Sequence, residues 1–213
     1  RRLPGLSVVA AAVTVAAYQI CFFSGVSLTG VALGTVVGIG SSPVWAGLLA
    51  WLTGEGRPSR RWVLATGLAV AGAILLIAGG RTLQVSLPGM MLALAAGASY
   101  AIYASVSKRL LESASPGAVM AVVFGLAALL LAPILLQSNL AWVGTPRGAA
   151  VALHLGLLAT TLSYLLFARG LRSLPAPTAV TLSLAEPLTA AGLGLLVLQE
   201  RLTLTALLGG GLL

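Results

Sequence analysis

The 213-residue chain contains no aspartate, one histidine (His154), one cysteine (Cys21) and one lysine (Lys108). Only 8% of its residues are charged, against about a quarter in an ordinary soluble domain. Each shortage excludes a chemistry. Without aspartate there is no Asp-bearing triad and no aspartate-clamped magnesium. With one histidine and one cysteine there is no His-x-x-Glu-His site and no cysteine-rich metal site. A single thiol makes no internal disulfide, and Cys21 reads as small-residue packing. The chain also lacks a phosphate loop, so nucleotide does not power it directly. An intramembrane Ser–His hydrolase with His154 as base is formally open, but no Gly-x-Ser-x-Gly elbow supports it. The sequence therefore predicts no enzyme, no cofactor and no metal.

What is abundant is hydrocarbon. Of all residues 59% are hydrophobic, and a soluble domain of this length would still need polar groups for the roughly 30% of its surface left exposed. Lipid is the natural solvent for such an exterior. Seven segments approach or exceed the roughly 20 apolar residues that cross a bilayer: Leu6 to Phe23, Gly30 to Leu52, Trp62 to Ala78, Leu87 to Val106, Ala118 to Leu136, Ala149 to Phe167 and Thr178 to Leu198. An eighth, Thr203 to Leu213, reaches only about 17 Å as helix and reads as a truncated span. Strand-length alternation is absent, so helices rather than a barrel must satisfy the backbone in lipid. The predicted fold is an all-α integral membrane helix bundle of seven full spans and one truncated span.

Charge placement supplies an orientation. With Arg1 and Arg2 on the cytoplasmic side, the same side receives Arg57, Arg60, Arg61, Lys108, Arg109, Arg169 and Arg172, and the opposite side only Arg81, Arg147 and Arg201. That asymmetry follows the positive-inside rule. The net charge of +8 is thus topological, and no nucleic-acid partner is expected, since a binding patch would be clustered and interleaved with exposed aromatics. Trp51, Trp62 and Trp142 fall near span ends, as aromatic belts do; Trp45 does not.

The chain also repeats itself at an offset of about 145 residues, with Gly25 matching Gly170, Pro43 matching Pro187 and Glu55 matching Glu200. Five spans separate equivalent elements. An odd number puts the copies in opposite orientations, so the repeat is inverted, as in many secondary transporters.

Glu186 is the sole charged residue deep inside a span, where it costs about 2.5–3.5 kcal/mol on insertion scales. It marks a candidate substrate-binding or proton-exchanging group, with Ser183 and Thr189 on the same helical face and small Ala179 and Ala190 beside them. The competing reading is a protonated glutamate bonded within a broken turn. Pro187 removes a helical hydrogen bond and should free the carbonyl of Ser183; Pro43 should do the same at Ile39. Either proline alone reads as a kink, but the symmetry-related pair points to a shared central cavity. Pro133 has no such partner and reads as packing.

Further candidate lining groups are Tyr100, Tyr103 and Ser107 on one face, His154, Thr161 and Tyr164 on another, and Thr14 and Tyr18 on a third. Gln19, Ser42 and Trp45 complete the candidate set. The bland alternatives are interfacial belts for the tyrosines and a core hydrogen bond for His154. Gly30, Gly34 and Gly38 predict a close helix–helix approach.

Thr53-Gly54-Glu55-Gly56-Arg57 and Leu198-Gln199-Glu200-Arg201 resemble the Leu-Gly-Glu-Arg-type ending of the EamA repeat in the drug/metabolite transporter superfamily. Gly40-Ser41-Ser42-Pro43-Val44 and Ala185-Glu186-Pro187-Leu188 resemble the fourth-helix pattern of each repeat. The resemblance covers essentially the whole chain. It implies ten helices in two five-helix inverted repeats, moving small metabolites, often outward. Residues 1–82 would be the remainder of the first repeat, with three spans, and 83–213 the second, with four full spans and a truncated fifth. Arg1 is not an initiator residue, and the chain is expected to begin inside a longer one.

The resulting expectation is a secondary active exporter of a small polar or amphipathic metabolite, amino-acid-like or drug-like, in a bacterial inner membrane. Its expected partners are the lipid bilayer and a small-molecule substrate, with a coupling proton and a second copy of the chain as further candidates. The alternative is a non-transporting membrane scaffold or subunit of the same fold, which needs no solvent path to Glu186.

Overall fold

The structure, a computed structural model, describes residues 3–78, 86–197, 199 and 203–213. Arg1, Arg2, Arg81, Leu198, Glu200 and Arg201 lie outside the described residues, and with them the Glu55–Glu200 anchor of the repeat. The described chain is helical throughout, in the order α1 (Gly5–Leu52), α2 (Arg60–Ala78), α3 (Leu87–Leu110), α4 (Pro116–Leu136), a 3₁₀ turn (Ala141–Gly144), α5 (Pro146–Leu153), a π segment (His154–Leu162), α6 (Ser163–Ser173), α7 (Ala176–Leu182), α8 (Ala185–Val197) and α9 (Leu204–Leu212). Among the described residues six helical runs are long and apolar enough to cross a membrane: Gly5–Leu52, Arg60–Ile77, Leu87–Leu110, Pro116–Leu136, Pro146–Ser173 and Ala176–Val197.

Local chemistry sets the starts. The side chains of Ser86, Ser115, Thr145 and Thr203 accept hydrogen bonds from the N–H groups of Gly89, Ala118, Gly148 and Ala206, capping α3, α4, α5 and α9. In the first three a proline follows within the first turn, where its missing N–H costs nothing.

The 48 residues of α1 would extend about 72 Å as one straight helix, more than twice a hydrocarbon core of about 30 Å. The helix breaks instead at Gly30, whose φ of 79° and ψ of 160° fall in a region open essentially to glycine alone. A Cβ on Gly34 would lie 2.7 Å from Val26, and one on Gly38 would lie 3.3 Å from Phe22. Both pairs are equidistant from residue 30, so the two arms of α1 run back along each other. Gly30 is therefore the joint of a helical hairpin, while Gly34 and Gly38 serve the close approach of its arms.

Helix α3 packs into this hairpin through a stripe of small residues at every fourth position, Gly89, Ala93, Gly97 and Ala101. A Cβ on Gly25 would lie 3.0 Å from the carbonyl oxygen of Gly89, and one on Gly97 would lie 2.6 Å from that of Gly38. Both arms thus meet α3 at backbone contact, the small-xxx-small solution to association in lipid. Helices α2 and α9 use the same device: a Cβ on Gly72 would lie 2.7 Å from the Gly209 oxygen.

The main core lies at one end of the bundle, where Val8, Ala11, Ala12, Tyr103, Leu110, Met120, Leu171 and Ala176 are buried together. Polar fasteners close the same end. Lys108 Nζ donates to the carbonyl oxygens of Leu171 and Arg172 at 2.8 and 2.9 Å, a cation on the open carbonyls of a helix C-terminus. Arg109 pairs with Glu55 at 3.2 Å. These contacts gather the loops bearing Arg57, Arg60, Arg61, Lys108, Arg109, Arg169 and Arg172 at one end, whereas Arg147 stands at the other end of the run that carries Arg172.

Two expected spans are interrupted. The expected sixth carries nine residues of π-helix, and the expected seventh is divided into α7 and α8 at Ser183–Leu184.

Candidate functional site

The two interruptions flank a cavity of about 580 Å³. The arms of α1 contribute Tyr18, Ile39 and Ser42, and α3 contributes Tyr100. The π segment and α6 bring Ala159, Ser163, Tyr164 and Phe167. Leu182, Ser183, Ala185, Glu186 and Thr189 come from the α7–α8 break.

That break follows from proline chemistry. Pro187 cannot offer an N–H to Ser183, and the N–H of Glu186 takes the Ser183 carbonyl instead, at 3.0 Å. The expectation that Pro187 leaves this carbonyl free is corrected: the chain satisfies it by a tighter turn, and Pro187 then sits harmlessly in the first turn of α8. Glu186 occupies that same first turn, where a carboxylate is favoured by the helix dipole, and its side chain is open to the cavity.

Around Glu186 the wall is hydroxylic and aromatic. Tyr100 Oη and Ser183 Oγ are hydrogen-bonded at 2.9 Å, tying α3 to the break, and Thr189 Oγ1 donates to the Ala185 carbonyl at 2.9 Å. The rings of Tyr18 and Tyr100 lie 6.0 Å apart, as do those of Tyr100 and Phe167. Tyr164 packs on Phe124 at 4.5 Å. One carboxylate among aromatic faces and hydroxyl groups suits an ammonium-bearing or amphipathic solute, through charge pairing, cation–π contact and hydrogen bonds.

Of the candidate residues, the structure brings Tyr18, Ser42, Tyr100, Tyr164, Ser183, Glu186 and Thr189 to this cavity. Gln19 and Tyr103 line a much smaller recess beside it; Tyr103 is otherwise in the packed core, its hydroxyl donating to Met120 Sδ at 3.2 Å. Trp45 packs against the buried cluster of Ala46, Ala101, Ala104 and Val180, and Ser107 is fully buried. Thr14 turns its hydroxyl back onto the carbonyls of Ala10 and Ala11. Pro43 is buried beside the cavity residue Ser42.

His154 and Thr161 are exposed and are not among the cavity residues. The π segment between them explains this. Bonding from i to i+5 widens each turn by about one residue, so the face expected from α-helical spacing slips. Thr161 Oγ1 and Ser163 Oγ follow the wider register, donating to carbonyls five residues back, Gly156 and Leu158. Ser163, Ile39 and Phe167 are lining residues that periodicity did not single out. Ser163 and Phe167 stand four residues apart on α6, but the π segment breaks the register that would connect them to His154.

Comparison with known proteins places this architecture. Residues 87–213 match the EamA-like transporter family. The chain is 46% identical over 199 residues to the uncharacterized transporter YwfM of Bacillus subtilis (strain 168), covering 93% of this chain and 67% of that one. A crystal structure only 19% identical overlays on the whole chain and on 76% of its own length with a TM-score of 0.84, which speaks for the fold. With the family's pattern running from Leu87 to Leu213 and nearly half of its residues shared with one relative, the chain belongs to the EamA-like transporter family.

Proposed function

We propose that the chain is the substrate-translocating part of a secondary active transporter that moves a small cationic or amphipathic metabolite by alternating access, in the export direction. The observation that carries this reading is the cavity itself. It brings Glu186 and three tyrosines to a break between two half-helices, the construction by which transporters present polar backbone and side chains at membrane depth. A scaffold of the same fold needs no solvent path to Glu186, and the open cavity favours transport over it.

In this reading α1 crosses the membrane twice, making seven full crossings with α9 as part of an eighth. Residues 1–82 and 83–213 then belong to two inverted repeats. The hairpin at Gly30 supports the double crossing, the pairing of α2 with α9 joins the equivalent third and eighth segments, and the family match beginning at Leu87 supports the boundary. The basic end faces the cytoplasm of a bacterial cell under the positive-inside rule. Glu186 binds the cationic group of the substrate or exchanges a proton as access alternates. Coupling requires the two ligands to favour different states by a real free-energy difference.

The test uses the full-length gene in a susceptible bacterial host, scored for growth on toxic amino acids, their analogues and amphipathic cations. Resistance to one class, lost in Glu186→Gln at matched expression, is the expected result. Resistance surviving that substitution would reduce Glu186 to a structural role, and sensitivity to every compound would turn the reading toward import or a scaffold.

A further inference from the structure

A second large groove, about 420 Å³, lies between the C-terminal arm of α1 and α2. Most of its wall is hydrocarbon: Val44, Leu48, Val63 and Val70 line it. The hydroxyl of Thr66, which also borders it, is engaged with that of Thr181 at 3.1 Å. Its end at the α1–α2 loop differs. There Trp51, Pro58 and Trp62 line it, and Arg57, Arg60 and Arg61 are their neighbours along the chain. Arg57 stands 6.0 Å from the centre of the Trp51 ring, and Arg60 and Arg61 are exposed in the first turn of α2. The neighbouring carboxylate, Glu55, is engaged by Arg109, so the loop presents net positive charge. Trp62 is wedged against Gly47, where a Cβ would come within 2.5 Å of the ring. Its indole N–H is buried and has no hydrogen-bond partner among the described residues.

We propose that this groove binds a single anionic phospholipid, with an acyl chain along α1 and α2 and the headgroup phosphate among Arg57, Arg60 and Arg61. An apolar trough alone would suit any hydrocarbon, and an arginine cluster alone would suit any anion. Their junction at one mouth fits a molecule that is both. Trp51 and Trp62 stand at the basic end of the groove, and tryptophan sits at headgroup depth in membrane proteins generally. Basic pockets between transmembrane helices on the cytoplasmic side hold anionic headgroups by the same electrostatics.

The proposal is tested by titrating the purified protein in detergent with dioleoyl phosphatidylglycerol or dioleoyl phosphatidylcholine and counting retained lipid by native mass spectrometry. One phosphatidylglycerol should be retained in preference to phosphatidylcholine by at least about tenfold, since each arginine beside an anionic headgroup contributes about fivefold. The R57Q/R60Q/R61Q variant, changed only on exposed side chains, should lose that preference. Gly67→Leu, placed where an added side chain meets open space in the groove, should lose the bound lipid while keeping its heat-denaturation midpoint. Equal retention of the two lipids by the unaltered protein would overturn the proposal. So would a preference that survives the arginine changes, or binding that survives Gly67→Leu, because the lipid would then be associating with the basic surface at large.

Discussion

Single side chains differ sharply in what they hold at the basic end and in the cavity. Lys108 bonds two carbonyls at a helix terminus, and hydrogen bonds to charged groups contribute about 1.5–3 kcal/mol where water is excluded. Lys108→Met is expected to cost toward the lower end of that range, because one of the two bonds is exposed. Glu55 and Arg109 are both well exposed, and such pairs contribute about 0–1 kcal/mol, so Glu55→Gln should leave the heat-denaturation midpoint nearly unchanged. Measuring both midpoints in detergent, at low and high salt, checks the contrast. In the cavity, Tyr100→Phe removes the hydroxyl that meets Ser183, with a stability cost of about 1 kcal/mol and a larger loss of transport, since the freed Ser183 no longer fixes the break beside Glu186. These residues were legible in the sequence for one reason: a polar group inside an apolar span is expensive, and Glu186, Tyr18, Tyr100 and Tyr164 stand out against hydrocarbon. Trp45 stands out equally yet packs on alanines, because an indole is large enough to be useful as filler. Polarity alone does not separate the two uses.

Element boundaries were less legible, and the reasons are local. Periodicity assumes one register, and the nine-residue π segment resets it, carrying His154 and Thr161 away from the face they share in an α-helix. The α1 hairpin was readable as two apolar runs parted by Ser24, Gly25, Ser27 and Thr29, but those residues stay helical and the joint is Gly30 alone. The break before Glu186 was signalled by Pro187, although the rescue of the Ser183 carbonyl by the preceding N–H was not. A consequence can be measured: Pro187→Ala restores an N–H able to bond Ser183 in the regular i to i−4 pattern. It should favour a continuous α7–α8 and lose transport while the protein still folds. Helix α3 supplies a second test. Gly97→Leu drives a side chain into the backbone of α1 at Gly38 and should cost at least about 1–3 kcal/mol by overpacking, whereas Gly125→Leu on α4 meets open space and should be tolerated. Heat-denaturation midpoints of the two variants decide it.

At the scale of the molecule, packing is uneven along the bundle axis. The end fastened by Lys108 and Glu55 holds the main core, while the half of the Pro146–Ser173 run nearest Arg147 is largely exposed. This asymmetry predicts the direction from which the cavity is reached. In a Cys21→Ala background, a cysteine at Ser163 should react with an impermeant maleimide applied opposite the basic loops and react little from the basic side. Equal labelling from both sides would refute a closed basic end. The hairpin of α1 bears on the same motion. Its arms carry Tyr18 and Ser42, each twelve residues from Gly30, to the one cavity, and the joint between them is a single residue in a conformation that only glycine adopts readily. A joint this short has no slack, so whatever tilts one arm must carry the other as a lever carries its far end. Severing the gene within 53–59 and co-expressing the pieces should therefore give back a working machine, while severing it at Gly30 should give two parts that no longer turn together.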